Sequence, residues 1–209
     1  MRPCARTRRR LALVTACAVA AAVMVGVLAG RGAAAGSPVT FKMVPSAGSV
    51  AAGCLSDASA KVTIESQGAV EQMTVHATHL PKNTDFDLFV IQVPNAPFGM
   101  SWYQGDLETN QNGVADGTFV GRFSKETFMV APGSAPAPVV FPGDASSNPA
   151  TAPVQMYHLG LWFNSATDAA AAGCANVVTP FNGEHNAGPQ ALSTQNFADD
   201  HGPLRKVKS

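Results

Sequence analysis

Apolar and polar side chains alternate with period two in several short stretches, the pattern of strands with one face buried. Residues 61–64 and 73–77 mix β-branched and polar types in this way. Residues 117–123 put Phe119 and Phe123 on one face and Thr118, Val120 and Arg122 on the other. Residues 157–163 place Tyr157, Leu159, Leu161 and Phe163 on one side, with His158, Gly160 and Trp162 opposite. Residues 86–93 read Phe-Asp-Leu-Phe-Val-Ile-Gln-Val. That run is apolar on both faces in its middle, which predicts a central strand covered on two sides. Asn112-Gly113 is a strong turn signal between residues 102–107 and 117–123 and predicts a hairpin there. Many short strands with turns between them predict an all-β sandwich or barrel, and we expect an immunoglobulin-like or related two-sheet β-sandwich.

One short helix is expected in this frame. Ser165 or Thr167 caps it, Asp168 suits its positive end, Ala169 to Ala172 continue it and Gly173 ends it. Two loops interrupt the strand pattern. Residues 131–153 contain Pro132, Pro136, Pro138, Pro142, Pro149 and Pro153, a density that leaves only Val139 to Phe141 able to pair, at an edge. The stretch exceeds the usual loop length and reads as a functional lid or an insert. Residues 180–189 are dense in turn formers, and the chain ends in a polar tail.

The first 35 residues follow a different rule. Arg2, Arg6, Arg8, Arg9 and Arg10 form a basic head, residues 11–30 carry no charge, and Ala33-Ala34-Ala35 supplies small residues for cleavage. These are the three parts of a secretory signal, and cleavage after Ala35 leaves a single domain of residues 36–209. A retained anchor competes with this reading, since 20 apolar residues can span a bilayer and the arginines would hold the head inside. In that case the signal segment would be the contact with membrane. The twin-arginine route stays open on Arg8-Arg9-Arg10. A lipoprotein is rejected because the apolar stretch before Cys17 is too short.

Removing the leader changes the charge. The chain has 14 basic and 14 acidic residues, but six arginines and no acids lie in the leader. Eight basic residues then face 14 acidic ones, a net charge of −6. That balance argues against nucleic acid and against anionic lipid surfaces, both of which need clustered cations. Only Cys54 and Cys174 survive processing, and an exported chain favours a disulfide between them over two free thiols.

Catalytic signatures are missing from the sequence: no Gly-x-Ser-x-Gly elbow, no His-Glu-x-x-His, no phosphate-binding glycine loop and no Ser-x-x-Lys. Glu108-x-Asn110-x-Asn112-Gly113 begins like a calcium loop, but its twelfth position is Phe119 where a bidentate acid is required. A turn explains it better. Histidines give the other metal option. His76 and His79 differ by an odd number and face opposite sides of a regular strand. His158, Glu184 and His185 would converge if the loop at 180–189 folded over the face that carries Trp162, giving a site for a divalent metal. Trp102, Tyr103, His158 and Trp162 are the candidate residues for a sugar or peptide ligand, since aromatic faces suit both.

Asp85-Phe86-Asp87-Leu88-Phe89, Tyr157-His158-Leu159-Gly160-Leu161-Trp162-Phe163 and Asn186-Ala187-Gly188-Pro189-Gln190 together resemble a group of exported β-rich proteins of high-GC, actinobacterial-type soil bacteria. The resemblance implies export and one domain and transfers no site residue. The expected function is that of a secreted or envelope module binding an extracellular ligand or cell-wall component without catalysis. A metal carrier or metal-dependent enzyme using the His/Glu site is the second class, and a structural wall protein the third.

Overall fold

The computed structural model describes residues 36–123, 156–180, 183 and 185–208. Residues 1–35, read above as a leader, the proline-rich stretch at 131–153 with the edge pairing expected at Val139 to Phe141, and Glu184 lie outside the described residues.

Eight antiparallel strands form one sheet: β1 (Val39–Pro45), β2 (Ser59–Ser66), β3 (Glu71–Thr78), β4 (Asp85–Ile91), β5 (Ser101–Glu108), β6 (Ala115–Gly121), β7 (His158–Phe163) and β8 (Gln190–Ser193). The order is β5-β4-β7-β8-β1-β2-β3-β6. The two halves are not separate sheets. β1 pairs with β2 along Val39 to Met43, then turns its last two residues, Val44 and Pro45, onto Ser193 and Leu192 of β8. The two-sheet, immunoglobulin-like arrangement expected from the pattern is not confirmed; the mostly-β class is present, as a single, nearly closed antiparallel sheet. Its inward side chains, among them Met43, Val62, Met73, Phe86, Leu88, Leu107, Leu161 and Phe163, make one core. Burying side chains of this size contributes about 1.5–3 kcal/mol each, which is the main force closing the sheet.

β4 and β7 are covered on both faces; the sequence predicts this for β4, whereas for β7 the period-two pattern leaves the His158 and Trp162 face as a candidate binding surface, and that face is buried as well. Leu88 and Leu161 point into the main core. Phe89, Ile91 and Trp162 point outward into a second cluster with Ala187 and Phe98. The segment between β4 and β5 folds over that cluster and is tied down by Val93 N–H donating to the Phe98 carbonyl (3.2 Å) and by the Gln190 side-chain amide donating to the Pro94 carbonyl (3.3 Å). Trp162 lies across Gly160, where an added Cβ would sit 2.2 Å from the indole.

Among the described residues there are two α-helices where the sequence predicts one: α1 (Ala47–Ala52) and α2 (Ala166–Ala171). α2 has the expected Ser165 cap, whose oxygen accepts Asp168 N–H. α1 is capped by Ser46, whose oxygen accepts Ser49 N–H. The Ser46 and Ser49 hydroxyls also donate to the Gln190 carbonyl, at 2.5 and 3.1 Å, fixing α1 to β8. Each helix is followed by a glycine with positive φ, Gly53 (68°) and Gly173 (76°), and then by a cysteine. Cys54 and Cys174 form the disulfide, closing 120 residues of chain. The stretch read as a polar tail also carries Leu204 and Val207, both buried in the main core through a 3-10 turn at Pro203–Lys206.

Candidate ligand-binding cleft

The expected hairpin between β5 and β6 is not formed as a ladder. The turn itself is present: Asn110 N–H donates to the Val114 carbonyl (2.9 Å), Gly113 N–H to the Asn110 carbonyl (3.0 Å), and the Asn110 side-chain oxygen accepts Asn112 N–H (2.8 Å). These bonds close a tight turn. Beyond it the strands diverge. Among the described residues β5 pairs only with β4 and β6 only with β3, so they are the two ends of the described sheet. The turn cannot swing freely, because Leu80 N–H donates to the Gly113 carbonyl and Asn83 N–H to the Asn110 carbonyl.

A seam therefore runs between β5 and β6. Near the turn it is sealed by side chains: Leu107 fills the space above Gly117, and the Phe119 ring fills the space above Gly105. A Cβ at these two glycines would come within 2.5 and 2.9 Å of those side chains. Further from the turn, where the Phe123 ring lies over Gly121, a cleft of about 300 Å³ opens among the described residues. Its lining is Val90, Trp102, Gln104, Val120, Gly121, Arg122, Phe123 and Met156. Phe123 and Met156 belong to the main core, so the cleft floor is core surface. The volume is at the small end of the range for ligand pockets.

Three features shape its chemistry. Trp102, 39% exposed, presents a ring at the mouth. Arg122 is held in place, its guanidinium donating to the Ala69 carbonyl (2.6 Å) with Nε 3.5 Å from the buried Glu71 carboxylate. Gln104, half-buried, has no side-chain hydrogen bond among the described residues and supplies both a donor and an acceptor.

The other candidate residues are placed elsewhere. Tyr103 lies on the opposite face of β5 from Trp102, stacked against Phe89 and donating its hydroxyl to Asp106 at 2.5 Å. Burial pushes its phenol pKa up, and the bond to Asp106 and the negative charges of Asp106 and Asp87 add to the shift. Trp162 is fully buried in the outer cluster. His158 is also fully buried, with Nδ1 2.9 Å from the Thr194 hydroxyl and Nε2 3.1 Å from the Asp199 carbonyl. A carbonyl only accepts, so Nε2 carries the proton and Nδ1 faces the hydroxyl. Desolvation lowers the His158 pKa, opposed by the Asp199 carbonyl. His185 is exposed at positive φ (59°). Among the described residues no group of three or more His, Cys, Asp or Glu side chains could hold a metal ion. His76 and His79 do not meet as a pair: His76 bonds Asp116 (2.7 Å) and His79 bonds Thr78 (3.2 Å).

Of the ligand candidates, then, only Trp102 lines the cleft. Gln104, Arg122 and Phe123 were not singled out by sequence. One signal for them was available: Val120 is a lone apolar residue on the polar face of β6, and it is 65% exposed. No protein-family model, curated protein or solved structure matches the chain.

Proposed function

We propose that this chain is an extracytoplasmic, non-catalytic binding module that takes a saccharide ring in the cleft between β5 and β6. The observation that carries this reading is the exposed Trp102 ring in one cleft with the fixed Arg122 guanidinium and the Gln104 amide, which has no hydrogen bond among the described residues. A sugar has apolar C–H faces that stack on an indole and edge hydroxyls that pair with amide and guanidinium groups. Burying most of one ring suits a cleft of about 300 Å³. The disulfide supports a location outside the cytoplasm, where such bonds persist.

The test is calorimetric titration with neutral oligosaccharides such as chitotetraose and cellotetraose, on the wild type and on Trp102→Ala. Binding by at least one sugar, abolished by the substitution without loss of thermal stability, is the expected result. Failure of every sugar to bind, or binding that survives Trp102→Ala, would remove the cleft from consideration.

A further inference from the structure

The outer face of β1, β2, β3 and β6 carries an ordering that emerges only from register. Thr40 pairs with Thr63, Thr63 with Thr74, and Thr74 with Thr118, so four threonines stand in one line across four strands. One step along the strands, Lys42, Lys61, His76 and Asp116 form a second line. Neighbouring strands are about 4.8 Å apart, so each line presents a group at that interval.

The second line breaks a rule of sheet pairing. Like charges directly opposite each other destabilise an antiparallel pair, yet Lys42 and Lys61 are direct partners. Both are exposed, and neither has a carboxylate partner among the described residues. His76 and Asp116 do pair, at 2.7 Å, which ends the cationic stretch at β6. Glu65 is the other acid on this face and lies beyond the threonine line. A concavity of about 380 Å³ lies between the lines, lined by Lys61, Thr63, Thr74, His76 and Thr118 among others. The face as a whole is balanced, Lys42 and Lys61 against Glu65 and Asp116, the last of which also lines the concavity, so the cationic part is confined to the Lys42–Lys61 pair on β1 and β2.

We propose that this face binds a linear carboxylated polysaccharide laid across the strands. Its carboxylates would meet Lys42 and Lys61, and its hydroxyls would meet the threonine line. Each lysine ammonium is a point charge with three donors that can meet a single carboxylate, and the threonine hydroxyls can donate to or accept from sugar hydroxyls between them. The face shares no residue with the β5–β6 cleft, so either proposal can fail alone.

The experiment measures retention on immobilised polygalacturonate against neutral dextran, for the full exported chain and three variants. Wild type should bind polygalacturonate and not dextran, with affinity falling as salt rises. Lys42→Glu/Lys61→Glu should weaken binding roughly tenfold or more, and Thr63→Val/Thr74→Val, which keeps β-branched side chains in the strands, should weaken it to a lesser degree. Lys82→Glu is the charge control, because Lys82 is exposed in the loop between β3 and β4; it should bind like wild type. The proposal is overturned if polygalacturonate is not retained, if dextran binds equally, or if Lys82→Glu weakens binding as much as Lys42→Glu/Lys61→Glu. Thermal melts of each variant must match wild type, and Lys61→Gln serves as the milder substitution if charge reversal lowers them.

Discussion

Opening the Cys54–Cys174 bond should cost the fold most of its margin. The cross-link closes 120 residues, tying the end of α1 to the end of α2. In the chain-entropy account a loop of that length restricts the unfolded chain by about 4–5 kcal/mol. The folded ends are also held by other means. Ser46 and Ser49 bind α1 to β8, so reduction should leave the native arrangement in place while freeing the unfolded ensemble. For domains of this size roughly 1 kcal/mol moves Tm by about 2–4 °C, so the loss predicts a fall of about 8–20 °C. The assay is urea unfolding of the oxidised chain and of Cys54→Ala/Cys174→Ala, followed by far-UV circular dichroism. Intact mass should rise by two hydrogens on reduction, which confirms the starting state. A loss below about 1 kcal/mol would refute the entropic reasoning and point to residual structure in the unfolded chain.

Three further outcomes are expected. Gly113→Ala should destabilise by at least about 2 kcal/mol, because φ is 72° and the new Cβ would lie 2.2 Å from the Leu80 carbonyl oxygen; chemical denaturation reads this directly. His158 has a folded pKa below its ordinary value, so above about pH 6.5 both states are neutral and its contribution is complete. As pH falls below that, the unfolded chain takes up the proton first and stability drops, by at most about 1.4 kcal/mol per pH unit, until the folded pKa is passed. His158→Gln should lose this dependence, and a pH series of melting curves on both proteins checks it. Trp162→Ala should cost about 3–5 kcal/mol, as for large aromatic side chains in cores, while Trp102→Ala should cost far less; paired melts separate the two rings.

Much of the strand set was legible because period-two alternation is a local property. β2, β3, β6 and β7 each show it, and β4 shows the doubly apolar run of a covered strand. β8 escaped because four residues are too few for a period to register. α1 escaped because Ser46 and Gly53 are a cap and a stop around only six weak residues. The pairing of strands is a different kind of information. Asn112-Gly113 correctly marked a turn, but a turn signal cannot say whether its strands stay together, and here β3 and β4 take them to opposite ends of the sheet.

The candidate site was legible in the same partial way. Side-chain parity put His158 and Trp162 on one face correctly. Whether that face is wet depends on the segment between β4 and β5, through Phe98, and on Ala187, which cover it from distant parts of the chain. Trp102 and Tyr103 are adjacent on the end strand β5, so parity alone places them on opposite faces, and only Trp102 is on the face that lines the cleft. The threonine line is invisible in sequence because it is made of one residue from each of four strands.

The seam cleft is the centre of this account, and its two tryptophans offer the most direct measurement. In nitrogen-15 labelled protein the indole N–H signals of Trp102 and Trp162 are assigned by substituting each in turn. Adding a bound oligosaccharide should move the Trp102 signal in a saturable way and leave that of Trp162, buried on the far face of the sheet, in place. Movement of Trp162 alone, or of neither under conditions where calorimetry detects binding, would contradict a ligand site between β5 and β6.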